Sequence, residues 1–533
     1  MNRLIIILII SFFLMKGYAQ IPDIVWQQCF GDDENNWYVV NEAMNNAYVF
    51  AINRTSGDDI SNFHGGADIW VVFMDSMYNV IWERCYGGSD ADNPKKIVRL
   101  NDTEFFVFGK TSSIDGDVQS GNHGHSDIWV LKLNIEGDIL WERTYGCSGI
   151  DDPRDMILTP DGGFVMIDRI GIGGGDVTHF YGIGDCWMAK CDSLGNLEWE
   201  KTLGNDGLDN CVSMIVNSAG NIMMIGAAQW HGGLVECFPD GAWGDVWIVE
   251  IDLQGNILAQ YCYGGSHYDL GYSIIELEDG YAFIASTASN DGNVSGLHDN
   301  QLTEFTTDIW VVRLNNEMGI IWQKCIGGYD VESPKHISQT TDGGFIVIGT
   351  TNSIDGDVSG NHSIDYNYGD IWIVKLNGEG ELLWQQCYGG KWSERLENPH
   401  TVLKKSDYNY VFAASSNFSP SFDVQCGTFH NYNAWLFEIA LDDTANIHNP
   451  VANQQSINLF PNPATTEAWL QLPANIPLTD VQIELYNPKG SLLYKAQPVS
   501  NFHKIETAQL PAGLYVVRLW DGKSWKSGRL VVK

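Results

Sequence analysis

Basic side chains are scarce in this 533-residue chain, in which 30 Lys and Arg stand against 67 Asp and Glu, for a net charge of −37. The charge is unevenly distributed, since residues 450–533 carry a net charge of +3 and residues 1–449 a net charge of −40. A body this acidic repels a phosphate backbone, which argues against nucleic acid as a partner. Cations, basic proteins and neutral glycans stay compatible with the charge.

Long apolar runs are also missing beyond the N-terminus. Arg3, the apolar residues 4–14 and the small-residue exit at 17–19 together predict a secretory signal over residues 1–19, with Gln20 as the mature N-terminus. The run is too short to span a bilayer, and no later segment reaches the length of a transmembrane helix. No cysteine stands beside the cleavage point, which argues against a lipid anchor. We therefore expect an exported chain with no transmembrane segment.

Motifs of the common enzyme classes are absent as well. The chain contains no G-x-S-x-G elbow, no H-E-x-x-H pair and no glycine-rich phosphate loop before a helix. Its many acids could supply a carboxylate pair for glycoside cleavage, but that chemistry depends on a separation between carboxylates that sequence does not give. Catalysis is therefore the less favoured interpretation, and no catalytic residue is assigned.

Cysteine is present 11 times, an odd number for an exported chain. Equivalent sites of neighbouring repeat units lie too far apart for a bond that needs Cα atoms within ~7 Å. We therefore interpret the five cysteines that share one repeated place as small buried hydrophobic side chains. These five are Cys29, Cys85, Cys262, Cys325 and Cys387. Pairs among the other six are left open: Cys147, Cys186, Cys191, Cys211, Cys237 and Cys426.

What the sequence does contain is a repeat. A D-I-W triplet or a near variant returns at intervals of 58 to 63 residues, which gives seven units. Its tryptophans are Trp70, Trp129, Trp187, Trp247, Trp310, Trp372 and Trp435. A second anchor of the type ILWQKCYGG follows the first six triplets, and an extra copy stands alone at Trp26.

Each unit contains four short strand-like stretches, which we name a, b, c and d. In one unit they are residues 334–342, 343–351, 369–377 and 381–390, with tight Gly-containing turns between a and b and between c and d. Seven four-stranded antiparallel sheets that cannot bury their apolar faces alone favour an all-β fold, a seven-bladed β-propeller. The strand at Trp26 is expected to pair with the last c strand, residues 433–441, and so to close the ring.

The turn, strand and glycine motifs of these units, such as DGGFIVIG, DIWVVRLN and QKCIGGYD, resemble those of bacterial β-propeller repeats. The resemblance covers residues 22–445. It implies a fold more than a function, because propellers serve as enzymes, receptors and scaffolds.

Beyond a polar linker at residues 446–455, the segment 456–533 predicts a small β-sandwich. Its motifs LFPNP, ELYNPKGSLL and LPAGLYVVRL and its basic last strand resemble the C-terminal sorting domain of the type IX secretion system of Bacteroidetes, the Por secretion tail. The resemblance implies a partner, the secretion machinery, and delivery to the outer-membrane surface or the medium by way of the periplasm. The residues that carry it include Pro461, Asn462, Pro463, Gly490, Gly513, Tyr515 and Lys533.

The b to c and d to a loops should emerge on one face of the propeller and make it acidic. In the b to c loops, Asp-Val or Asp-Ile pairs are followed by histidines: His64, His123, His179, His298, His362 and His430. Recurrence favours a hydrogen-bond network that ties each loop to its own sheet. Calcium held by Asp115, Asp117, Asp355 and Asp357 is a second interpretation, and a transition metal held by the histidines is a third.

Aromatic residues outside the repeat pattern fall in the same loops, beside the acids. Flat rings next to carboxylates are typical of sugar recognition, although such rings can also simply plug the wide end of a sheet. The candidates for ligand contact are Trp230, Trp243, Tyr366, Tyr368 and Trp392, with Tyr181 and Tyr268 nearby. The sequence thus favours a secreted or cell-surface binding or adhesion module for an extracellular glycan or protein. A carbohydrate-active enzyme, hydrolase or lyase, and a non-binding surface scaffold are the alternatives.

Overall fold

Runs of β-branched and aromatic residues that end at Gly and Asp turns fold as strands throughout the described chain. The computed structural model describes residues 21–30, 39–44, 47–55, 62–230, 232–237, 243–299, 306–362, 369–417, 421–426 and 432–440, and separate stretches within 458–532. The chain divides into two compact units, residues 1–442 and 443–533. The predicted signal peptide and linker lie outside the described residues.

Within its described residues, the first unit contains seven antiparallel sheets in a propeller-like arrangement. We number them 1 to 7 in chain order. The first strand of the described residues is β1, Asp23–Phe30. Sheet 1 contains β2 Val39–Met44, β3 Ala47–Arg54, β4 Asp68–Asp75 and β5 Val80–Tyr86. Sheet 2 contains β6 Asp92–Arg99, β7 Glu104–Thr111, β8 Asp127–Asn134 and β9 Ile139–Tyr145. Sheet 3 contains β10 Asp151–Leu158, β11 Phe164–Ile170, β12 Asp185–Cys191 and β13 Leu197–Leu203.

Sheets 4 to 6 repeat the same four-strand order. Sheet 4 contains β14 Asn210–Val216, β15 Ile222–Ala228, β16 Asp245–Ile251 and β17 Ile257–Tyr263. Sheet 5 contains β18 Asp269–Leu277, β19 Gly280–Thr287, β20 Asp308–Leu314 and β21 Ile320–Ile326. Sheet 6 contains β22 Glu332–Gln339, β23 Phe345–Thr351, β24 Asp370–Leu376 and β25 Leu382–Tyr388. In each of the first six sheets, the four strands correspond to a, b, c and d.

Sheet 7 is assembled from both ends of the first unit. It contains β26 Glu394–Arg395, a 3-10 helix at Pro399–Thr401, β27 Val402–Ser406, β28 Asn409–Asn417 and β29 Tyr432–Ala440. β1 pairs with β29 antiparallel, from Asp23 opposite Ala440 to Phe30 opposite Ala434. The N-terminal strand therefore acts as strand d of the last sheet.

The apolar core lies between sheets. Seven clusters of buried residues each join two consecutive sheets, and one of them joins sheet 7 to sheet 1 through residues such as Leu436 and Phe50. The strand-c tryptophans, for example Trp129 and Trp247, are fully buried in these clusters. Burying 150–250 Å² of indole corresponds to roughly 4–6 kcal/mol per tryptophan as an upper estimate.

Polar contacts from strand d also join neighbouring sheets. Tyr86 Oη donates to Gly137 O at 2.6 Å, in the c to d turn of the next sheet, and Tyr145 Oη makes the same contact with Gly195 O. Gly195 has φ of +80°, a backbone conformation that glycine adopts without the steric cost of a side chain. Tyr388 of sheet 6 instead donates to Pro22 O, at the start of β1.

The prediction that five equivalent cysteines are all free is wrong for two of them. Cys29 bonds Cys426 and Cys262 bonds Cys237, with Cα atoms 5.5 and 5.6 Å apart. Each bond joins strand d to the b to c loop of its own sheet, so the distance between repeat units does not matter. The other three, Cys85, Cys325 and Cys387, are free and buried as expected.

The second unit contains two small sheets that share one core. Their strands are β30 Asn458–Phe460, β31 Glu467–Gln471, β32 Gln482–Tyr486, β33 Leu492–Ala496, β34 Phe502–Glu506, β35 Gly513–Trp520 and β36 Trp525–Val532. Tyr515 is buried and donates to Pro511 O at 2.8 Å, while Gly513 pairs with Val532. The other predicted sorting residues, Pro461, Asn462, Pro463, Gly490 and Lys533, lie outside the described residues.

Candidate functional site

The repeated S-I-D-G-D-V loops bind the loop that precedes their own sheet. Asp115 Oδ1 accepts a hydrogen bond from Ser89 N at 2.7 Å, and Asp117 N donates to Gly87 O at 2.8 Å. In sheet 6, Asp355 and Asp357 repeat these contacts with Tyr329 N and Gly327 O. These hydrogen bonds hold the pKa of Asp115 below its ordinary value. The near-identical loops are thus structural clasps between the b to c and d to a connections.

A pair of buried acids lies beneath each clasp. A Cβ on Gly87 would come within 2.5 Å of Asp92 Oδ2 and 2.9 Å of Asp68 Oδ1, so only glycine fits between these two side chains. Asp68 belongs to the D-I-W triplet of sheet 1, and Asp92 starts sheet 2. Burial, with a contribution from Asp68, raises the pKa of Asp92 to about 6.

The pairs recur around the unit. They are Asp68 with Asp92, Asp127 with Asp151, Asp185 with Asp209, Asp245 with Asp269, Asp308 with Glu332, and Asp370 with Glu394. Burial raises the pKa of Asp209 and of Glu332 to about 7. One carboxyl group of such a pair is therefore protonated well above the ordinary range of an acid.

The histidines of the b to c loops complete the network. His123 Nδ1 lies 2.7 Å from Asp127 Oδ2 in its own sheet, and His123 Nε2 lies 3.9 Å from Asp176 of the next sheet. His64, His298 and His362 also approach one aspartate of their own sheet and one of the next. In sheet 3 the backbone N of Tyr181, rather than His179, donates to the equivalent acid, Asp185. His430 lies outside the described residues.

The four aspartates proposed for calcium are all engaged in these clasps. Asp117 Oδ2 lies 3.3 Å from Gly87 N and 3.8 Å from His64 Nε2, and Asp357 Oδ2 lies 3.8 Å from His298 Nε2. In the part of the chain that the structure describes, no group of three or more His, Cys, Asp or Glu side chains is placed to hold a metal ion. The hydrogen-bond network accounts for the positions of these carboxylates.

Sheets 3 and 4 depart from the loop consensus. At the place of Asp115, sheet 3 has Gly174 and sheet 4 has Gly232. Sheet 4 also has Leu234 where Asp117 stands in sheet 2. Aromatic and aliphatic side chains are exposed in and beside these two loops: Ile172, Tyr181, Ile183, Leu208, Trp230, Trp243 and Tyr268.

Contacts between loops make these side chains neighbours. Trp230 and Trp243 each stand two residues beyond Ala228 and Asp245, which are the last pair of the ladder between β15 and β16. Asn205 Nδ2 donates to Trp230 O at 2.8 Å, and Ile183 N donates to Gly207 O at 3.2 Å in the same d to a loop.

On the other side, the hydrogen bond from Asp269 N to Gly244 O brings Tyr268 beside Trp243. Tyr181, Trp230, Trp243 and Tyr268 thus lie on successive loops, and we call this set the aromatic arc.

Trp392, another predicted ligand residue, lies apart from the arc along the chain. Trp392 lies in the loop between sheets 6 and 7, half-buried, with Lys391 Nζ 5.3 Å from its ring. Tyr366 and Tyr368 lie outside the described residues. The loop beside Trp392 also lacks an acid at the place of Asp115, where sheet 7 has Ser421, but sheet 4 lacks both acids of the consensus.

Sequence reasoning missed a polar cluster on the strands a. Asp155 of β10 accepts from Lys96 Nζ of sheet 2 at 2.7 Å and from Met214 N of sheet 4 at 2.8 Å, and His400 Nε2 of sheet 7 lies 3.1 Å away. These contacts hold the pKa of Asp155 well below its ordinary value although the side chain is buried. Four sheets therefore meet at one carboxylate, and no motif in a single repeat predicts that contact.

Several solved structures are similar to this chain at low sequence identity. A puromycin-hydrolyzing peptidase of Mycobacterium tuberculosis is 11% identical with a TM-score of 0.43, over 83% of this chain and 59% of the peptidase. The β-propeller domain of the Trilobed protease from Pyrococcus furiosus is 9% identical with a TM-score of 0.40, over 78% of this chain and 100% of that domain. A duf4221 protein from Bacteroides vulgatus is 11% identical with a TM-score of 0.33, over 65% of this chain and 96% of that protein. This chain thus spans about three fifths of the peptidase's length.

The C-terminal unit gives the specific family match. No curated protein matches the chain in sequence. No helix in the described residues has the length and hydropathy needed to cross a bilayer. Residues 458–533 match the family described as secretion system C-terminal sorting domain, which confirms the predicted tail. The chain therefore carries, at residues 458–533, the sorting domain that directs export by type IX secretion to the cell surface or the medium.

Proposed function

We propose that the seven sheets are the blades of one closed propeller. The support is the circle of core clusters, the pairing of β1 with β29, and the meeting at Asp155 of three strands a and the 3-10 helix of sheet 7. Strands a of consecutive sheets also contact one another, which is expected for the inner strands of a ring. A density map of the exported chain with any other number of spokes would contradict this architecture.

We propose that the propeller works outside the cell as a binding module whose contact surface is the aromatic arc. The observation that carries this proposal is the exposure of two tryptophans at the two ends of one b to c loop, with 48% of Trp230 and 66% of Trp243 accessible. Trp230 is held at φ of +68°, a conformation that non-glycine residues rarely adopt and that recurs at functional positions. Flat exposed rings favour a glycan as the ligand, stacked on its C–H faces.

A glycan array with the exported chain tests the binding surface. Trp230→Ala and Trp243→Ala should each reduce the bound signal at least tenfold, about 1.4 kcal/mol, as expected for loss of an anchoring aromatic side chain. Trp392→Ala, on another part of the same face, is the matched control and should bind as the parent does. Absence of signal for the parent protein, or equal loss in all three variants, would remove the proposed surface.

The alternatives have less support. The acid pairs beneath the clasps are buried against glycine, so they do not face a substrate in solution. Calcium at Asp115, Asp117, Asp355 and Asp357 remains a prediction, and a melting midpoint that does not move with chelator would contradict it. For the sorting role, a chain truncated after Ala452 should accumulate in the periplasm, and continued secretion would count against that role.

A further inference from the structure

The strands a share a backbone irregularity at one place. Their pairing with strand b shifts by one residue in sheets 2 to 6, which leaves one residue of each strand bulged. The bulged residues are Lys95, Arg154, Val212, Tyr272 and Lys335. A bulge redirects a side chain out of the regular pleat, and such positions recur next to binding sites. In sheet 7 the corresponding residue is Glu397, three after Glu394 as Lys335 is three after Glu332.

Contacts bring these side chains together across several sheets. Lys95 Nζ lies 3.4 Å from Asp152 Oδ1, and Arg154 Nη2 lies 2.7 Å from Asp152 Oδ2. Lys335 Nζ lies 5.5 Å from the ring centre of Tyr272. Arg154 also acts electrostatically on the Tyr272 phenol, which links sheets 3, 5 and 6.

Sheet 7 joins the same group. Asn398 Nδ2 donates to Lys95 O at 3.3 Å, and Glu397 and Arg395 act on Lys335. We call the bulged residues of sheets 2 to 6, together with Glu397, the bulge ring.

Positive charge is concentrated at the bulge ring although the protein is acidic. Lys110 and Arg169 of strand b and Arg395 of sheet 7 add to the three cations of the ring, while the carboxylates that act on these cations are Asp151, Asp152 and Glu397. Six cations therefore stand against three acids, in a propeller unit whose charge is strongly negative. Such an excess creates a local positive potential that attracts anions.

Two of these cations can form further hydrogen bonds or ion pairs. Arg154 Nε is buried and has no hydrogen-bond partner among the described residues. Lys335 is half-buried and makes no ion pair with the described residues; its Nζ lies 5.5 Å from the Tyr272 ring centre, and Glu397 acts on it electrostatically. Desolvation lowers the pKa of Lys335 to about 8, so its charge is costly without a close partner. A buried guanidinium donor without an acceptor, beside a lysine without an ion-pair partner, points to a ligand that supplies acceptors.

The carboxylate of Asp155 does not supply this acceptor. It already accepts hydrogen bonds from Lys96 Nζ and Met214 N, and His400 Nε2 lies 3.1 Å from it, one residue beyond the bulge on β10. The bulge ring thus lies beside a group of side chains in which the charge of Lys96 is neutralised by that of Asp155.

We propose that the bulge ring binds a small anion that carries a carboxylate or phosphate group, with Arg154 and Lys335 as its main partners and Tyr272 packed against it. The planar guanidinium of Arg154 matches two oxygens of either group, and Lys335 adds a point charge. The site adjoins the aromatic arc at Tyr268, on which Tyr272, Arg169 and Arg154 act electrostatically. None of its proposed ligand partners belongs to the arc, so separate substitutions test the two proposals.

Isothermal titration of the full exported chain with inorganic phosphate, and separately with glucuronate, tests the site. Arg154→Gln and Lys335→Met should each weaken binding of the preferred anion at least tenfold, and affinity should fall with added NaCl. Lys324→Met removes an exposed cation of strand d in sheet 5 and is the matched control, with unchanged affinity. The tighter of the two probes identifies phosphate or carboxylate as the recognised group.

Three results would overturn the proposal. They are no binding of either anion, equal affinity in the parent and the variants, and an equal loss in Lys324→Met. If Arg154→Gln fails to fold, Lys335→Met decides, because Lys335 makes no ion pair with the described residues. Trp230→Ala should leave phosphate binding unchanged, which separates this site from the aromatic arc.

Discussion

Sheet 7 and sheet 4 use the same local contacts over very different lengths of chain. In both, a strand-d glutamine binds the strand-c tryptophan and the b to c loop, and a disulfide lies two residues further along strand d. In sheet 4 the bonded cysteines are 25 residues apart, but in sheet 7 they are 397 apart, because β1 comes from the other end of the unit. Identical contacts therefore contribute different amounts to the free energy of unfolding, because they close loops of different length and closure entropy.

Removal of β1 should have the largest effect. Deleting residues 20–30 leaves β29 with an open edge and takes Trp26 and Phe30 from the core shared with sheet 1. The expected loss is comparable to the whole stability of a domain, about 5–15 kcal/mol, so cooperative melting followed by circular dichroism should disappear. A chain that ends at Asp442, and so lacks only the second unit, is the control. A deleted chain that still melts within about 2 °C of this control would show that sheet 7 does not depend on β1.

The disulfides come next. The pair Cys29→Ser with Cys426→Ser should lower the free energy of unfolding by about 2 kcal/mol more than Cys237→Ser with Cys262→Ser, because its loop is longer. Urea unfolding of the two double variants and the parent, without reductant, measures the difference. Equal losses would mean that local contacts, and not chain entropy, set the contribution of each bond.

The glutamines should have a smaller effect. Gln27→Ala leaves Trp435 Nε1 and Gln425 N without their acceptor, and Gln260→Ala does the same for Trp247 Nε1 and Glu236 N. Each should cost about 1–3 kcal/mol in urea unfolding, the usual penalty for an unpaired buried polar group. Gln27→Glu retains the acceptor, as Glu142 does in sheet 2, and should lose less. A Gln27→Ala chain as stable as the parent would contradict this role.

Substitution in an acid pair should give the smallest effect, which is a change in how stability depends on pH. The first six sheets all contribute a residue to such a pair. Burial raises the pKa of Glu332 to about 7, so the folded chain holds a proton that the unfolded chain releases near pH 4. The stabilising contribution is thus complete below pH 4 and is lost as the pH rises to about 7.

Glu332→Gln should therefore narrow the difference in melting midpoint between pH 8 and pH 5. The exposed Glu317→Gln is the control and should leave that difference as it is in the parent. An undiminished difference in Glu332→Gln would show that this pair does not titrate in that range.

The strands of the first unit could be predicted because each unit carries its own anchors. The predicted strand c at 369–377 corresponds to Asp370–Leu376, and the predicted strand d at 381–390 to Leu382–Tyr388. The alternation around Trp372 and Trp384 and the Gly turn between them determine those bounds locally. The sorting tail was identified for a similar reason, since its motifs are short and contiguous.

Contacts between distant residues could not be predicted in the same way. The cysteine interpretation compared equivalent sites in different repeats, whereas the bonds of Cys29 and Cys262 lie within one sheet and depend on which loop residue faces strand d. The bulge at Arg154 leaves no mark in the alternation of a single strand, and its neighbours come from other sheets. The aromatic arc could be predicted only in part. Trp392 and Trp243 are both loop tryptophans outside the repeat pattern, and the sequence does not show that they lie in different loops of the fold.

The position of β1 also has a consequence for synthesis. Among the described residues its one strand partner is Tyr432–Ala440, so this early strand waits for more than 400 residues before its hydrogen-bond ladder can form. Contacts of such long range slow folding, and the waiting strand exposes unpaired backbone groups during that interval. Completion of the last sheet is therefore expected to be a late step in folding, after the six locally connected sheets have formed.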